Sequence, residues 1–197
     1  MVSLYLGAGG AVENIPIPSE KEGQMSTWLD AVIHANPELS TVWHQGRIPV
    51  VARTNEKGRR LLARLPYSED NRQWLYAIRY ASQPTWLRGD KAWELPKGWL
   101  NQFVAAALLR YGKLYIVQPY REDEVCAPAC WNARGFDCQC SCMGANHGEG
   151  EQEGYFVVSE TFAIKTGPTQ WACRLLISKR PVKPFVPPPL GMIWAPR

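Results

Sequence analysis

The chain has 197 residues, 20% of them charged and 46% hydrophobic, with a formal net charge of +4. That balance fits a folded chain with a real core and excludes a disordered one, and no apolar run approaches the roughly 18–20 residues a bilayer span needs. The N-terminal stretch lacks a basic region followed by a long apolar one, so no signal peptide is expected and a cytoplasmic setting is.

In chain order, GAGG near the N-terminus invites a dinucleotide-loop reading, but IPIP follows where that fingerprint needs a helix, and the reading fails. STWLDAVIHANP predicts a short helix capped by Ser26 or Thr27 and ending before Pro37. IPVVART and RRLLARLPY, separated by NEKG, predict a β-hairpin. EDNRQWLYAIRYA, opened by Ser68, predicts a second helix with Trp74, Leu75, Ile78 and Ala81 on its core face. QPTWLRGDKAWELP reads as a loop and a short strand. Pro96 then opens a third helix, PKGWLNQFVAAALLRY, closed by Gly112.

KLYIVQPY is the clearest strand, and GYFVVSETFAIKT with QWACRLLISKR predicts a second hairpin, Cys173 being a buried thiol in it. The chain closes on RPVKPFVPPPLGMIWAPR, too rich in proline for helix or inner strand. The expected fold is α+β: a mainly antiparallel sheet, three helices on one face, and a cysteine-rich insertion. The expected units are an α+β body over 1–125, a zinc-binding segment over 126–150, a β-hairpin completing the sheet over 151–180 and an extended tail over 181–197.

The insertion carries Cys126, Cys130, Cys138, Cys140, Cys142 and His147 within 22 positions. In a reducing compartment such clustering points to metal before disulfides, and zinc favours four sulfur or nitrogen donors in close pairs. Cys126 and Cys130 form one pair, and two of Cys138, Cys142 and His147 are expected to complete the set, with Cys140 a bystander. The spacing matches no common iron–sulfur pattern. It also departs from the zinc deaminases, in which H-x-E precedes P-C-x-x-C, so the zinc is expected to be structural.

Charge is unevenly laid out. Residues 47–121 carry 14 Lys and Arg against 5 Asp and Glu, while 1–46 and 122–178 are acidic. Trp74, Trp86, Trp93 and Trp99 fall in the same basic block. Cations along a path with flat rings for stacking are what single-stranded nucleic acid requires. The candidate contacts are Arg59, Arg60, Arg64, Arg72, Tyr76, Arg79, Trp86, Arg88, Lys91, Trp93 and Lys97, with Tyr80 a further platform. Trp74 and Trp99 lie on apolar helix faces and are expected in the core.

The stretch RLLARLPYSEDNRQWLYAIRYASQPTWLRGDKAWELPKGWLNQFVAAALLRYG resembles the HARP module of annealing helicases over about fifty residues (61–111), through Pro66, Tyr67, Trp86, Lys91, Trp93 and Pro96. The resemblance implies a small α+β element that recognises branched or partly single-stranded DNA. No G-x-x-x-x-G-K-[ST] loop occurs, so the motor of those helicases is absent. The cysteine-rich GANHG segment is similar to that of uncharacterised phage and mobile-element proteins. The leading expectation is therefore a zinc-stabilised nucleic-acid-binding protein, DNA being favoured over RNA. The alternative is a protein-interaction accessory or inhibitor protein of a phage or mobile element, with Phe185 and Trp194 of the tail as anchors. A metal-dependent nucleic-acid enzyme is the third, but no catalytic constellation is visible.

Overall fold

The computed structural model describes residues 28–79, 83–121, 136, 156–166 and 168–186. Seven strands form one sheet in the order β3-β4-β2-β1-β5-β7-β6. They are β1 (Val50–Ala52), β2 (Leu61–Arg64), β3 (Thr85–Leu87), β4 (Ala92–Leu95), β5 (Lys113–Tyr120), β6 (Phe156–Thr166) and β7 (Thr169–Ser178). Among the described strands only β1 and β5 pair in parallel, so the sheet is mainly antiparallel as expected. The β6–β7 hairpin joins it through β7, which pairs with β5 along its whole length.

Among the described residues four α-helices accompany the sheet, one more than the sequence reading expected: α1 (Asp30–His34), α2 (Pro37–His44), α3 (Asn71–Ile78) and α4 (Leu100–Tyr111). The additional one is α2. Asn36 caps it by accepting a hydrogen bond from the Leu39 amide at 2.9 Å, and Pro37 occupies the first turn, where its missing N–H costs nothing. Leu39 and Trp43, four residues apart, are the buried side chains of α2.

The helices lie on both faces, not one. On the first face, Val51, Leu61, Ala63, Leu95, Leu114, Ile116 and Leu176 meet Trp74 and Leu75 of α3 and the stripe Leu100, Phe103, Val104, Ala107 and Leu108 of α4. On the second, Val50, Ala52, Leu62, Val117 and Cys173 meet Val32 and Ile33 of α1 with Leu39 and Trp43 of α2. Successive strand residues point to opposite faces, so uninterrupted apolar runs such as Val50–Ala52 already imply cover on both sides.

Two further boundaries differ from expectation. The stretch read as loop and strand is a hairpin, β3 and β4 pairing antiparallel. Pro96 precedes a single 3-10 turn, Lys97–Trp99, and α4 proper begins at Leu100. Gly112 ends α4 as expected, at φ 73°, its amide donating to the Leu108 carbonyl at 3.0 Å. That left-handed geometry is one a side chain resists. Trp74, Trp99 and Cys173 are buried as expected.

Candidate nucleic-acid interface

The basic block folds so that the β3–β4 hairpin, the end of β2 and the start of α3 surround an open groove of about 760 Å³. Its cations are Arg64, Arg72, Arg88 and Lys91, against one lining carboxylate, Glu69. Its rings are Tyr67, Trp86 and Trp93. The structure thus brings together Arg64, Arg72, Trp86, Arg88, Lys91 and Trp93 from the sequence-based candidates.

Local architecture explains the gathering. In the β3–β4 ladder Trp86 is directly opposite Trp93, and their rings meet at 5.1 Å with an interplanar angle of 56°. The rings share the hydrophobic contact unequally. Trp93 is 7% exposed and belongs to the core on the α3–α4 face, whereas Trp86 is 40% exposed. The expectation that Trp93 is a stacking platform is therefore corrected. Ala63 is the register partner of Trp93 on the neighbouring strand, and both belong to the core on that face. The Arg72 guanidinium stands 5.8 Å from the Trp93 ring centroid, a cation–π arrangement that also places its charge at the groove.

The turn joining β3 to β4 is Arg88-Gly89-Asp90-Lys91, with the Lys91 amide donating to the Arg88 carbonyl at 3.3 Å. Lys91 has φ 48°, and it is the one non-glycine residue with positive φ among the described residues. That region disfavours side chains other than Asn and Asp. Arg64 is half-buried, and its guanidinium is pulled below the usual arginine range by burial, partly offset by the Asp90 carboxylate. Asp90 in turn is pushed up by burial and then by Asp30, with Arg64 opposing.

The opposite wall comes from the Pro66–Tyr67 turn. Buried Asn71, the first residue of α3, donates from Nδ2 to the Pro66 carbonyl at 2.8 Å and accepts from the Tyr111 hydroxyl at 3.1 Å. Burial pushes the Tyr111 phenol up to about 12, which keeps it the neutral donor that Asn71 needs. With the turn tied down, Tyr67 projects 91% exposed. Neither Tyr67 nor Asn71 stood among the sequence-based contact residues. P-Y followed by S-E-D-N marks a turn and a helix start, but the hydrogen bond back to Pro66 has no sequence signature.

The other candidates do not line the groove. Arg59 is paired with Glu56 at 3.0 Å on an exposed turn. Arg60 reaches Glu94 at 3.6 Å and donates to the Gln83 carbonyl at 3.2 Å. Tyr76 is half-buried on α3, while Arg79 and Lys97 are exposed elsewhere. Tyr80 lies outside the described residues, as do Ser26, Thr27, Ala81 and Trp194. Phe185 of the tail is engaged within the chain: it packs on the α3–α4 core and lies 5.7 Å beneath the Arg110 guanidinium.

Cys126, Cys130, Cys138, Cys140, Cys142 and His147 lie outside the described residues, and no group of three metal-binding side chains converges among the described ones. One residue of that segment is placed. Phe136, between Cys130 and Cys138, is 4% exposed in the α3–α4 core and tilts against Phe156 at 5.2 Å. Its amide donates to Asn101 Oδ1 at 2.8 Å, and its carbonyl accepts from the buried Arg174 guanidinium. Comparison of the chain with protein-family models, curated proteins and solved structures finds no match. No helix among the described residues is long and apolar enough to cross a membrane.

Proposed function

We propose that the chain is a zinc-stabilised nucleic-acid-binding protein that takes single-stranded or branched DNA into the groove between α3 and the β3–β4 hairpin. The observation that carries this reading is the assembly of four cations beside the outward-facing Trp86 indole. Cations neutralise phosphates, and an exposed indole offers a base a stacking face. The likeness to the HARP module supports the same reading, since Tyr67, Trp86, Lys91 and Trp93 of that likeness all line the groove.

Zinc is proposed for Cys126 and Cys130 with two of Cys138, Cys142 and His147. The thiolate-rich donor set fits a closed structural site, and bound zinc would fix the segment's fold without taking part in chemistry. Phe136 supports a clasp, because the residue between the two donor groups is rooted in the core.

The test is a fluorescence anisotropy titration against single-stranded, forked and duplex DNA and single-stranded RNA at two salt concentrations, with metal content measured on the same sample. Salt-sensitive binding with about one zinc per chain is expected. Trp86→Ala should weaken binding by about 5- to 150-fold, the worth of one stacked base, without lowering Tm by more than a few degrees. Absence of binding to every nucleic acid at low salt overturns the reading. Full thermal stability after complete metal removal overturns the clasp.

A further inference from the structure

Resting on that reading, we infer that the groove seats the phosphorylated end of a single strand, rather than a stretch of its interior. The base at that end lies on Trp86 and the end phosphate lies among Arg72, Arg88 and Lys91.

Charge placement is the first argument. A surface that follows a strand needs cations spaced along a path. Here Arg59 and Arg60 are tied to Glu56 and Glu94, and Arg79 and Lys97 are exposed but do not line the groove. The other four candidates, Arg64, Arg72, Arg88 and Lys91, line one concavity whose volume of about 760 Å³ lies in the range of small-molecule sites rather than extended channels. An internal phosphodiester carries one negative charge, while an end phosphate approaches two and offers three unsubstituted oxygens to charge-assisted donors. Convergence matches the denser charge.

The rings give the second argument. With Trp93 buried, the groove exposes two aromatic faces among the described residues, Trp86 and Tyr67, seats for an end base and its neighbour. The backbone gives the third. Lys91 is held at φ 48°, where glycine or asparagine would sit with less strain. Strain of this kind persists where the surrounding structure holds a residue in a useful place, and here Lys91 lines the groove.

The experiment titrates the full-length protein with internally labelled single strands of one sequence bearing a 5′-phosphate, a 3′-phosphate or hydroxyls at both ends. One phosphorylated end should bind about tenfold or more tighter than the hydroxyl strand, the effect of a charge-assisted contact. Whichever end it is supports the inference and gives the polarity. Lys91→Asn should erase that preference while melting at or above the wild-type temperature, and Lys91→Arg should retain it. Arg88→Gln, at a position of ordinary backbone, should erase it too, so a folding defect in the strained turn cannot mimic the result.

Equal affinity for all three strands, with salt-sensitive binding intact, overturns the end-phosphate inference and leaves the proposed function standing. No binding to any of them overturns both. A preference that survives both Lys91→Asn and Arg88→Gln places the phosphate elsewhere and overturns the inference.

Discussion

Trp93→Ala separates a core tryptophan from a stacking one. Trp93 is 7% exposed, beside Trp86 at 5.1 Å and beneath Arg72 at 5.8 Å. Truncating a buried Trp costs about 3–5 kcal/mol through lost transfer energy and the cavity left behind. The Trp86 contact and the Arg72 cation–π contact each add about 0.5 kcal/mol, the low end for partners that stay partly solvated. A total near ~5 kcal/mol is a large share of the roughly 5–15 kcal/mol that holds a domain folded. For a chain of this length it lowers Tm by roughly 10–20 °C. Thermal melts followed by far-UV circular dichroism read this directly, with Trp93→Phe as the milder control. If Trp93→Ala melts within about 2 °C of wild type and loses only nucleic-acid affinity, the ring is a binding platform and its assignment to the core is wrong.

Other perturbations probe the scaffold. In Gly112→Ala the new Cβ would stand 3.0 Å from Val182 Cγ2 at a φ of 73°, so urea melts should show a loss of about 1–2 kcal/mol. Val182→Ala in the same background should recover only the steric part. Asp70 accepts from Arg110 at 2.6 Å and from Ser68; burial raises its pKa, but these hydrogen bonds and the Arg110 charge outweigh it and hold the carboxyl below the usual range. A depressed carboxylate stabilises the fold above its unfolded pKa near 3.9, and that stability is lost as pH falls through the folded value. Asp70→Asn should therefore be less stable than wild type from about pH 5 upward, and the gap should close below about pH 4 in urea melts; equal stability at pH 7 counts against the pair. Phe136→Ala should cost about 3 kcal/mol by the same melts, whereas an exposed residue at that position would cost nothing measurable.

What the sequence made legible was the local chemistry. KLYIVQPY, the β6–β7 hairpin and the end of α4 at Gly112 carry their periodicity and turn signals within a few residues, and they form as read. Helix α2 had its signal too, in Asn36-Pro37-Glu38 ahead of Leu39 and Trp43, but the short stretch before Pro37 already read as a complete helix. The run Val50–Ala52 signalled cover on both faces, but which helix covers which face was not legible, because an apolar stripe says that a helix is covered and not on which side of the sheet. Trp93 shows the same limit. Its neighbours Arg88, Asp90 and Lys91 are polar, yet its burial depends on registers with Ala63 and Trp86 that no local pattern encodes. The six sequence candidates that meet at the groove come from three strands, the β3–β4 turn and one helix, which local pattern does not bring together.

The most direct test of the account is the salt dependence of single-stranded DNA binding by the wild type and by the Arg72→Gln/Arg88→Gln double variant. Each phosphate neutralised on a single strand contributes about −0.7 to the slope of log affinity against log salt. If the groove is the contact surface, the double variant should bind more weakly and its slope should be shallower by about 1.4. An unchanged slope and affinity would place any binding elsewhere on the molecule and contradict the account.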